Sequence, residues 1–445
     1  MNAIDQIAAQ LQGYDPQAMT ADGVCDFLAR LVTPVQDGIE LPLFEALGRV
    51  LAADVVSPFD VPPHDNSAMD GYAFNGAQLR PDSALELQVI GTALAGKAWQ
   101  GSISPGQCVK IMTGAVMPAG LDTVVPQEFV QLQRTGEHET ITISAGLLRL
   151  GDNRRLRGED LAQGKAALQK GELLTPARLG LAASLGLKTL RTWRPVRVAY
   201  FSTGDEILSL GEAPREGAVY DSNRYTVFGL LSRLGCQVID LGVVRDEPAL
   251  LEAAFLDAAA RADAVITSGG VSVGEADYTK AMMKKLGDVA FWRIAMRPGR
   301  PMAVGRISSI KSAPGAYGAG ADSYQNSEGA VLFGLPGNPV AVMVTFLAFV
   351  RPALLQMMGA RPEPEVLLKA RSLEAIRKKP GRTEYQRGRV TTAPDGSLHV
   401  KTTGSQGSGV LRSMAEANGL IVLHHGQGNV SAGDEVDVMM FDGAI

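Results

Sequence analysis

Residues 196–202 (VRVAYFS), 222–235 (SNRYTVFGLLSRLG), 237–244 (QVIDLGVV), 247–262 (EPALLEAAFLDAAARA) and 263–270 (DAVITSGG) alternate short apolar runs with segments of helical length. The short runs are apolar at nearly every position, as strands covered on both faces of a parallel sheet must be. The segments between them are long enough to cross back over that sheet. Residues 330–350 (AVLFGLPGNPVAVMVTFLAFV) add a further strand and helix, because Pro336, Gly337, Asn338 and Pro339 break the run in two. The same break argues against a membrane span in this uncharged stretch. A doubly wound parallel-sheet α/β domain is therefore expected over 192–362, beginning at Thr192-Trp193-Arg194-Pro195.

Working outward, the chain changes character on both sides. Residues 57–150 are rich in Gly and Pro and carry short runs such as LELQVIG, CVKIMTG, TVVPQEF and TITISAG, which predict an inserted β-rich domain. Flanking it, 1–56 and 151–191 read as a helical and linker domain. Thr20 caps a first helix, and Leu43, Ala46, Leu47, Val50 and Leu51 suggest an apolar stripe on a second. Residues 175–186 (TPARLGLAASLG) predict another helix, with Pro176 at its first position and Gly186 as its stop. Beyond Pro362 the chain is β-rich again. A hairpin turning at Pro394-Asp395-Gly396 and a last strand in GDEVDVMMF place a small β-barrel domain at 363–445. Residues 307–328, dominated by Ser, Gly and Ala, have little to bury and predict a surface loop.

A 445-residue chain that is 46% hydrophobic has room for several domain cores, and a formal net charge of −5 gives it no general attraction for nucleic acid or acidic membranes. The three cysteines, Cys25, Cys108 and Cys236, have no disulfide or zinc spacing. The opening stretch lacks the basic-then-apolar pattern of a secretory signal, so a cytoplasmic protein is expected.

In an open parallel sheet, ligands bind beyond the carboxyl ends of the strands. The successive strands run out into Ser202-Thr203-Gly204-Asp205-Glu206, then Arg245-Asp246, then Thr267-Ser268-Gly269-Gly270-Val271-Ser272, then Gly334-Leu335-Pro336-Gly337-Asn338-Pro339. Two of these are glycine-rich turns into helices, where free N–H groups and the helix dipole favour an oxyanion. Asp205, Glu206 and Asp246, with Asp277 nearby, supply oxygen ligands for a hard cation such as magnesium. Arg293, Arg297 and Arg300 form a basic group suited to phosphate or another oxyanion. Taken singly, a glycine turn is often only a turn and an aspartate only a cap; four such loops on one edge weigh against that. Neither loop is a P-loop or a GxGxxG fingerprint, and none of the five histidines stands in HExxH. In the inserted domain, the rigid polar stretch from Pro62 to Ala73, Thr113, and the Arg154–Asp160 region are further candidates.

Together the strings PPHDNSAMDGYA, MTGAVMPAG, RRLRGEDL, FSTGDE, YDSNR, TSGGVSVGEADYTK and GLPGNP resemble the motif set of the molybdopterin molybdenumtransferase family, over about 20–440. The resemblance implies that the α/β domain binds molybdopterin. It also implies a reaction in which adenylylated molybdopterin and molybdate, with Mg2+, give molybdenum cofactor and AMP. A homodimer with the pocket between subunits is implied too, with the 63–72 loop closing the site from the partner, and other proteins of cofactor biosynthesis are expected as partners. Carried over by position, the catalytic set is Asp65, Thr113, Asp160, Glu206, Arg293 and Arg297. The ligand-binding set is Ser268, Gly269, Gly270, Ser272, Pro336, Gly337, Asn338, Pro339, Arg155 and Arg300, and the metal set is Glu206, Asp246 and Asp277. The chain departs from the family in carrying arginine where lysine is frequent at 293, 297 and 300, in His64 where an aromatic is usual, and in the 307–328 segment. Two other functions are open to this architecture, a pyrophosphatase or adenylyltransferase on the same fold, and a non-enzymatic scaffold.

Overall fold

The computed structural model describes residues 2–271, 278–308 and 329–442. The chain forms two compact units, one of Met1–Ala52, Gly171–Thr175 and Arg191–Ile445, the other of Ala53–Lys170 and Pro176–Leu190.

The first unit is built around a six-stranded sheet. Its strands are β1 (Arg197–Thr203), β2 (Gln237–Val244), β3 (Ala264–Ser268), β4 (Gly287–Arg293), β5 (Pro301–Ile307) and β6 (Ala330–Leu335). They lie in the order β2-β1-β3-β6-β5-β4. The first four in that order run parallel, and β5 and β4 complete one edge antiparallel. Four helices serve the sheet: α1 (Ser222–Arg233), α2 (Pro248–Arg261), α3 (Tyr278–Leu286) and α4 (Pro339–Thr345).

Alternate side chains of each strand feed two cores. Val198, Tyr200, Ile266 and Phe333 pack with Val227, Leu230 and Leu231 of α1 on one face. On the other, Ala199, Phe201, Val265 and Leu332 pack with Leu251, Phe255 and Ala258 of α2. The winding on both faces is as the apolar strands require. Because β1 connects to β2 on one side and the chain then returns to β3 on the other, the strand order reverses between β1 and β3.

The Pro336–Pro339 break ends β6, and the helix after it, Pro339–Met357, is long and apolar enough by composition to cross a membrane. Its Val340, Val342, Phe346, Phe349 and Leu354 instead fill the core on the α1 face. The C-terminal segment closes into a ring of five strands, Thr383–Thr392, Leu398–Thr402, Leu368–Ser372, Glu435–Met440 and Gly419–Leu423, the last pairing back to the first. Val390, Val400, Ile421 and Val438 fill the barrel. Its hairpin turns at Gly396, whose φ of +84° suits glycine.

The second unit holds another six-stranded sheet, with Tyr72, Phe74, Cys108 and Val125 in one core and Ala73, Val109, Ile111 and Val124 in the other. The helix Pro176–Ser184 lies in this unit, followed by Gly186 at φ +71°. The multi-domain α/β fold, with its doubly wound centre, inserted β domain and terminal barrel, is as expected. Two readings are corrected. The second N-terminal helix is absent: only a 3-10 turn, Leu43–Glu45, forms, Phe44 is fully exposed, and Val50 and Leu51 make isolated bridges. The central sheet is also mixed rather than wholly parallel, because β4 and β5 are joined by a short connection that leaves no room for a crossover helix.

Candidate functional site

The carboxyl ends of β1, β2, β3, β6 and β4 share one rim. The antiparallel β5 starts on it, since Pro301 pairs with Arg293 and Ala303 with Gly334. The rim therefore carries Thr203–Glu206, Asp246, Ser268–Gly270, Pro336–Pro339, Arg293 and Arg300. With strands about 4.8 Å apart, it runs about 24 Å from Asp246 to Arg293. A group held at the acidic end is out of reach of Arg293.

Beneath the centre of the rim, the Tyr200 hydroxyl lies 2.8 Å from Ser202 Oγ and 2.7 Å from Ser268 Oγ, and the two serines are 3.1 Å apart. This buried triangle satisfies three hydroxyls and ties the ends of β1 and β3 together. Burial, with Asp221 adding to it, pushes the Tyr200 phenol well above its ordinary range.

Above the triangle, Gly269 adopts φ +94°, and a Cβ there would stand 2.6 Å from the Thr203 carbonyl oxygen. A side chain at Gly270, φ +66°, would strike Thr279. Glycine is thus required where the loops cross. A Cβ on Gly337 would lie 3.9 Å from Gly269 Cα, so the turn after β6 stands beside the turn after β3.

At the acidic end, the Glu206 carboxylate folds back over Gly204, since a Cβ on Gly204 would lie 2.5 Å from Glu206 Oε2. Asp205 Oδ1 accepts the Asp246 N–H at 3.4 Å, and the Thr279 hydroxyl lies 3.5 Å from both Asp246 Oδ1 and Thr203 Oγ1. Glu206 is exposed and Asp246 half-buried. Ser272 and Asp277 lie outside the described residues. Among the described residues no three acidic, His or Cys side chains gather closely enough to hold a metal.

At the basic end Arg293, Arg297 and Arg300 are exposed. The Ile294 N–H donates to the Arg300 carbonyl at 2.7 Å, which closes the turn carrying them. Met296 and Arg297 pair with Thr383 and Glu384 of the barrel. Sequence reading overlooked Arg387, which is 0% exposed on that barrel strand. Its guanidinium donates to Ser413 Oγ and to the carbonyls of Ser405, Gln406 and Gly407, at 2.9–3.3 Å. Burial, with the charge of Arg297, lowers its pKa to about 10. The loop it holds reaches the rim, where the Val340 N–H donates to the Ser408 carbonyl at 3.1 Å. Its strand, TEYQRGRV, is polar at most positions, so one more arginine there gave no signal. Asn223 and Thr279 lie within the strings YDSNR and TSGGVSVGEADYTK but were not singled out, since nothing in either string marks them from their neighbours.

In the second unit the three strings singled out come together. The Ser67 N–H donates to the Ala115 carbonyl at 3.0 Å and the Met117 N–H to the Asp65 carbonyl at 2.9 Å; Arg154 and Arg155 pair with Ser67 and Asn66. The Asp65 carboxylate accepts the Arg157 N–H at 2.8 Å and faces Arg154 at 3.7 Å. The Thr113 amide and hydroxyl both donate to Asp70 Oδ1, at 2.7 and 2.8 Å, holding that carboxyl below its ordinary range. The side chains of Thr113, Arg155 and Asp160 are exposed.

Residues 19–186 match the model of the MoeA N-terminal region (domain I and II), 199–356 that of a probable molybdopterin binding domain, and 369–441 that of the MoeA C-terminal region (domain IV). A molybdopterin molybdenumtransferase of Haemophilus influenzae is 41% identical over 403 residues, covering 90% of this chain and 93% of that protein. This chain belongs to the molybdopterin molybdenumtransferase family. Another relative of that name, from Nostoc, is 34% identical over 445 residues, covering 96% of this chain and 95% of its own length. Among solved structures, the molybdopterin biosynthesis moeA protein of Pyrococcus horikoshii aligns with a TM-score of 0.75 at 26% identity, over 96% of this chain and all of that one. The family's members are transferases, and the resemblance read from the motifs is borne out along the chain's length.

Proposed function

We propose that this enzyme inserts molybdate into adenylylated molybdopterin and releases AMP. Full-length membership of the family carries the reading, and the rim gives it a place. The amides of Gly270, Gly337 and Asn338, with the positive dipole end of the helix that starts at Pro339, face the pyrophosphate and its neighbours on this reading. Ser268, Gly269, Gly270, Ser272, Pro336, Gly337, Asn338 and Pro339 bind the pterin and its phosphates. Glu206 and Asp246, joined by Asp277, would hold magnesium; their oxygen-only donors, exposed or half-buried at one end of the rim, fit a hard cation. When bound, such a cation neutralises pyrophosphate charge and favours departure of AMP.

Arg293, Arg297 and Arg300 collect molybdate, and the positive charge of Arg387 beneath Arg297 strengthens that end. Bringing molybdate to the dithiolene sulfurs asks for positioning more than for a protein nucleophile. Asp65, Thr113, Arg155 and Asp160, on the joined loops of the second unit, are assigned to closing the site from the partner subunit of a homodimer. The chain is read as cytoplasmic, divided into 1–56 with 151–191, 57–150, 192–362 and 363–445, and open to other proteins of cofactor assembly.

The test is incubation of the purified enzyme with adenylylated molybdopterin, molybdate and magnesium. AMP should appear only with molybdate. AMP released equally without it would sink this reading and favour a pyrophosphatase.

A further inference from the structure

The N-terminus of α1 carries two buried oxygen atoms that the described protein does not satisfy. Asp221 caps the helix through Oδ1, which accepts the Arg224 N–H at 3.1 Å, while its Oδ2 is buried without a hydrogen-bonding partner among the described residues. Two residues on, Asn223 is 8% exposed and its Nδ2 donates to the Gly337 carbonyl at 2.7 Å. That bond decides which amide atom is nitrogen. It leaves Oδ1 as a buried acceptor, again without a partner among the described residues.

Burying an acceptor with no donor is destabilising, and an apolar side chain of similar size would avoid it. Asn223 stands at the crossing of the two glycine turns, because its partner Gly337 lies beside Gly269. An amide oxygen beside a carboxylate repels phosphate and molybdate oxygens and asks for an N–H donor. This corner therefore faces the heterocyclic part of the ligand and not its anionic part.

We infer that Asn223 is a specificity-determining residue whose Oδ1 accepts a hydrogen bond from the exocyclic amino group of a fused-ring nitrogen heterocycle. The inference rests on the proposed substrate, both of whose ring systems, adenine and pterin, carry such a group. The donor to Gly337 aims the acceptor, so one amide both fixes the turn and reads the ring.

Deleting the amino group from the ligand tests this directly. Calorimetry on the full-length enzyme would compare AMP with purine riboside monophosphate, and pterin with its 2-deamino counterpart. Wild type should prefer one amino-bearing member by about five- to tenfold, the size of one hydrogen bond, and the pair that responds identifies the ring. In Asn223→Ala the preference should fall to about onefold. In Asn223→Asp, which keeps an oxygen but loses the donor to Gly337, it should persist although both affinities fall. A purely structural Asn223 would weaken both ligands of a pair equally and leave the ratio intact in Asn223→Ala. That result overturns the inference, as does a wild type indifferent to both amino groups, which needs no variant to fold. Molybdate-dependent AMP release, measured on the same wild-type preparation, tells a failure of this inference from a failure of the proposed reaction.

Discussion

Replacing Arg387 by Met removes the guanidinium while keeping a flexible side chain of similar length, and it exposes how the barrel supports the rim. Four acceptors lose their donor: Ser413 Oγ and the carbonyls of Ser405, Gln406 and Gly407. Hydrogen bonds to a charged donor contribute about 1.5–3 kcal/mol each when broken singly, but four on one group are not additive. Part of the 405–407 loop is solvent-accessible and can recover water. A loss of about 3–5 kcal/mol is expected, a large share of the 5–15 kcal/mol typical of a whole domain. At about 1.4 kcal/mol per decade, backbone amides of Thr383–Thr392 should then exchange about a hundredfold to several thousandfold faster by hydrogen exchange. Arg387→Lys should fall between, since one ammonium cannot reach four acceptors spread around a planar fork. AMP release should also drop, because the released loop carries the Ser408 carbonyl that accepts the Val340 N–H at the rim. Exchange in Arg387→Met within threefold of wild type would mean that the buried guanidinium stabilises nothing, and the account of the barrel would be wrong.

Glu206→Gln should fold with an unchanged melting temperature, since the side chain is exposed, yet lose molybdate-dependent AMP release; wild-type turnover would remove that carboxylate from the mechanism. Gly269→Ala forces a Cβ to within 2.6 Å of the Thr203 carbonyl oxygen at φ +94°. A cost of about 1–3 kcal/mol and weaker AMP binding by calorimetry are expected, and an unchanged melting curve would refute the crowding. Thr113→Ala removes one of two bonds that hold the Asp70 carboxyl below its ordinary 3.8, the amide being the larger cause and the hydroxyl the smaller. The folded value is depressed, so the contribution is present above about pH 4 and fades as pH falls through the folded pKa. NMR titration of the variant should find Asp70 moved part of the way back up, and no movement would show that the hydroxyl is idle.

How much could be read from residues alone depends on how strongly each element is over-determined. Strands β1, β3 and β6 are apolar on both faces, so neither the pattern nor the Pro336–Pro339 break admits another assignment. The supposed stripe at Leu43–Leu51 had helical spacing, but Pro42 before it and Gly48 within it weaken a helix, and tertiary pairing of Val50 and Leu51 decided the outcome. Strands β4 and β5 were passed over because the alternation with helices that marks the rest of the sheet stops there, and an antiparallel edge needs no crossover. For the site, glycines announced themselves through a rare residue type placed after a strand. Asn223, Thr279 and Arg387 act through partners that only folding supplies, and the fourth of Arg387's bonds lies 26 residues away.

On the proposed reading, the length of the rim lets acids and arginines both serve one reaction. If Asp246 and Arg293 were neighbours they would pair and neutralise each other, as Arg194 and Asp263 do at 2.7 Å within the same unit. Separated by about five strand spacings, or about 24 Å, and by more than two Debye lengths at physiological salt, each end keeps its own field. The acidic end can take up a cation while the basic end takes up an oxyanion. The glycine turns between them contribute no net charge and, on the proposed reading, would hold the part of the ligand that joins the two. The arrangement is a consequence of strand order: β2 carries Asp246 to one edge, and the antiparallel excursion through β4 and β5 carries Arg293 to the other. A wholly parallel sheet of four strands would shorten the rim to about 14 Å and weaken that separation.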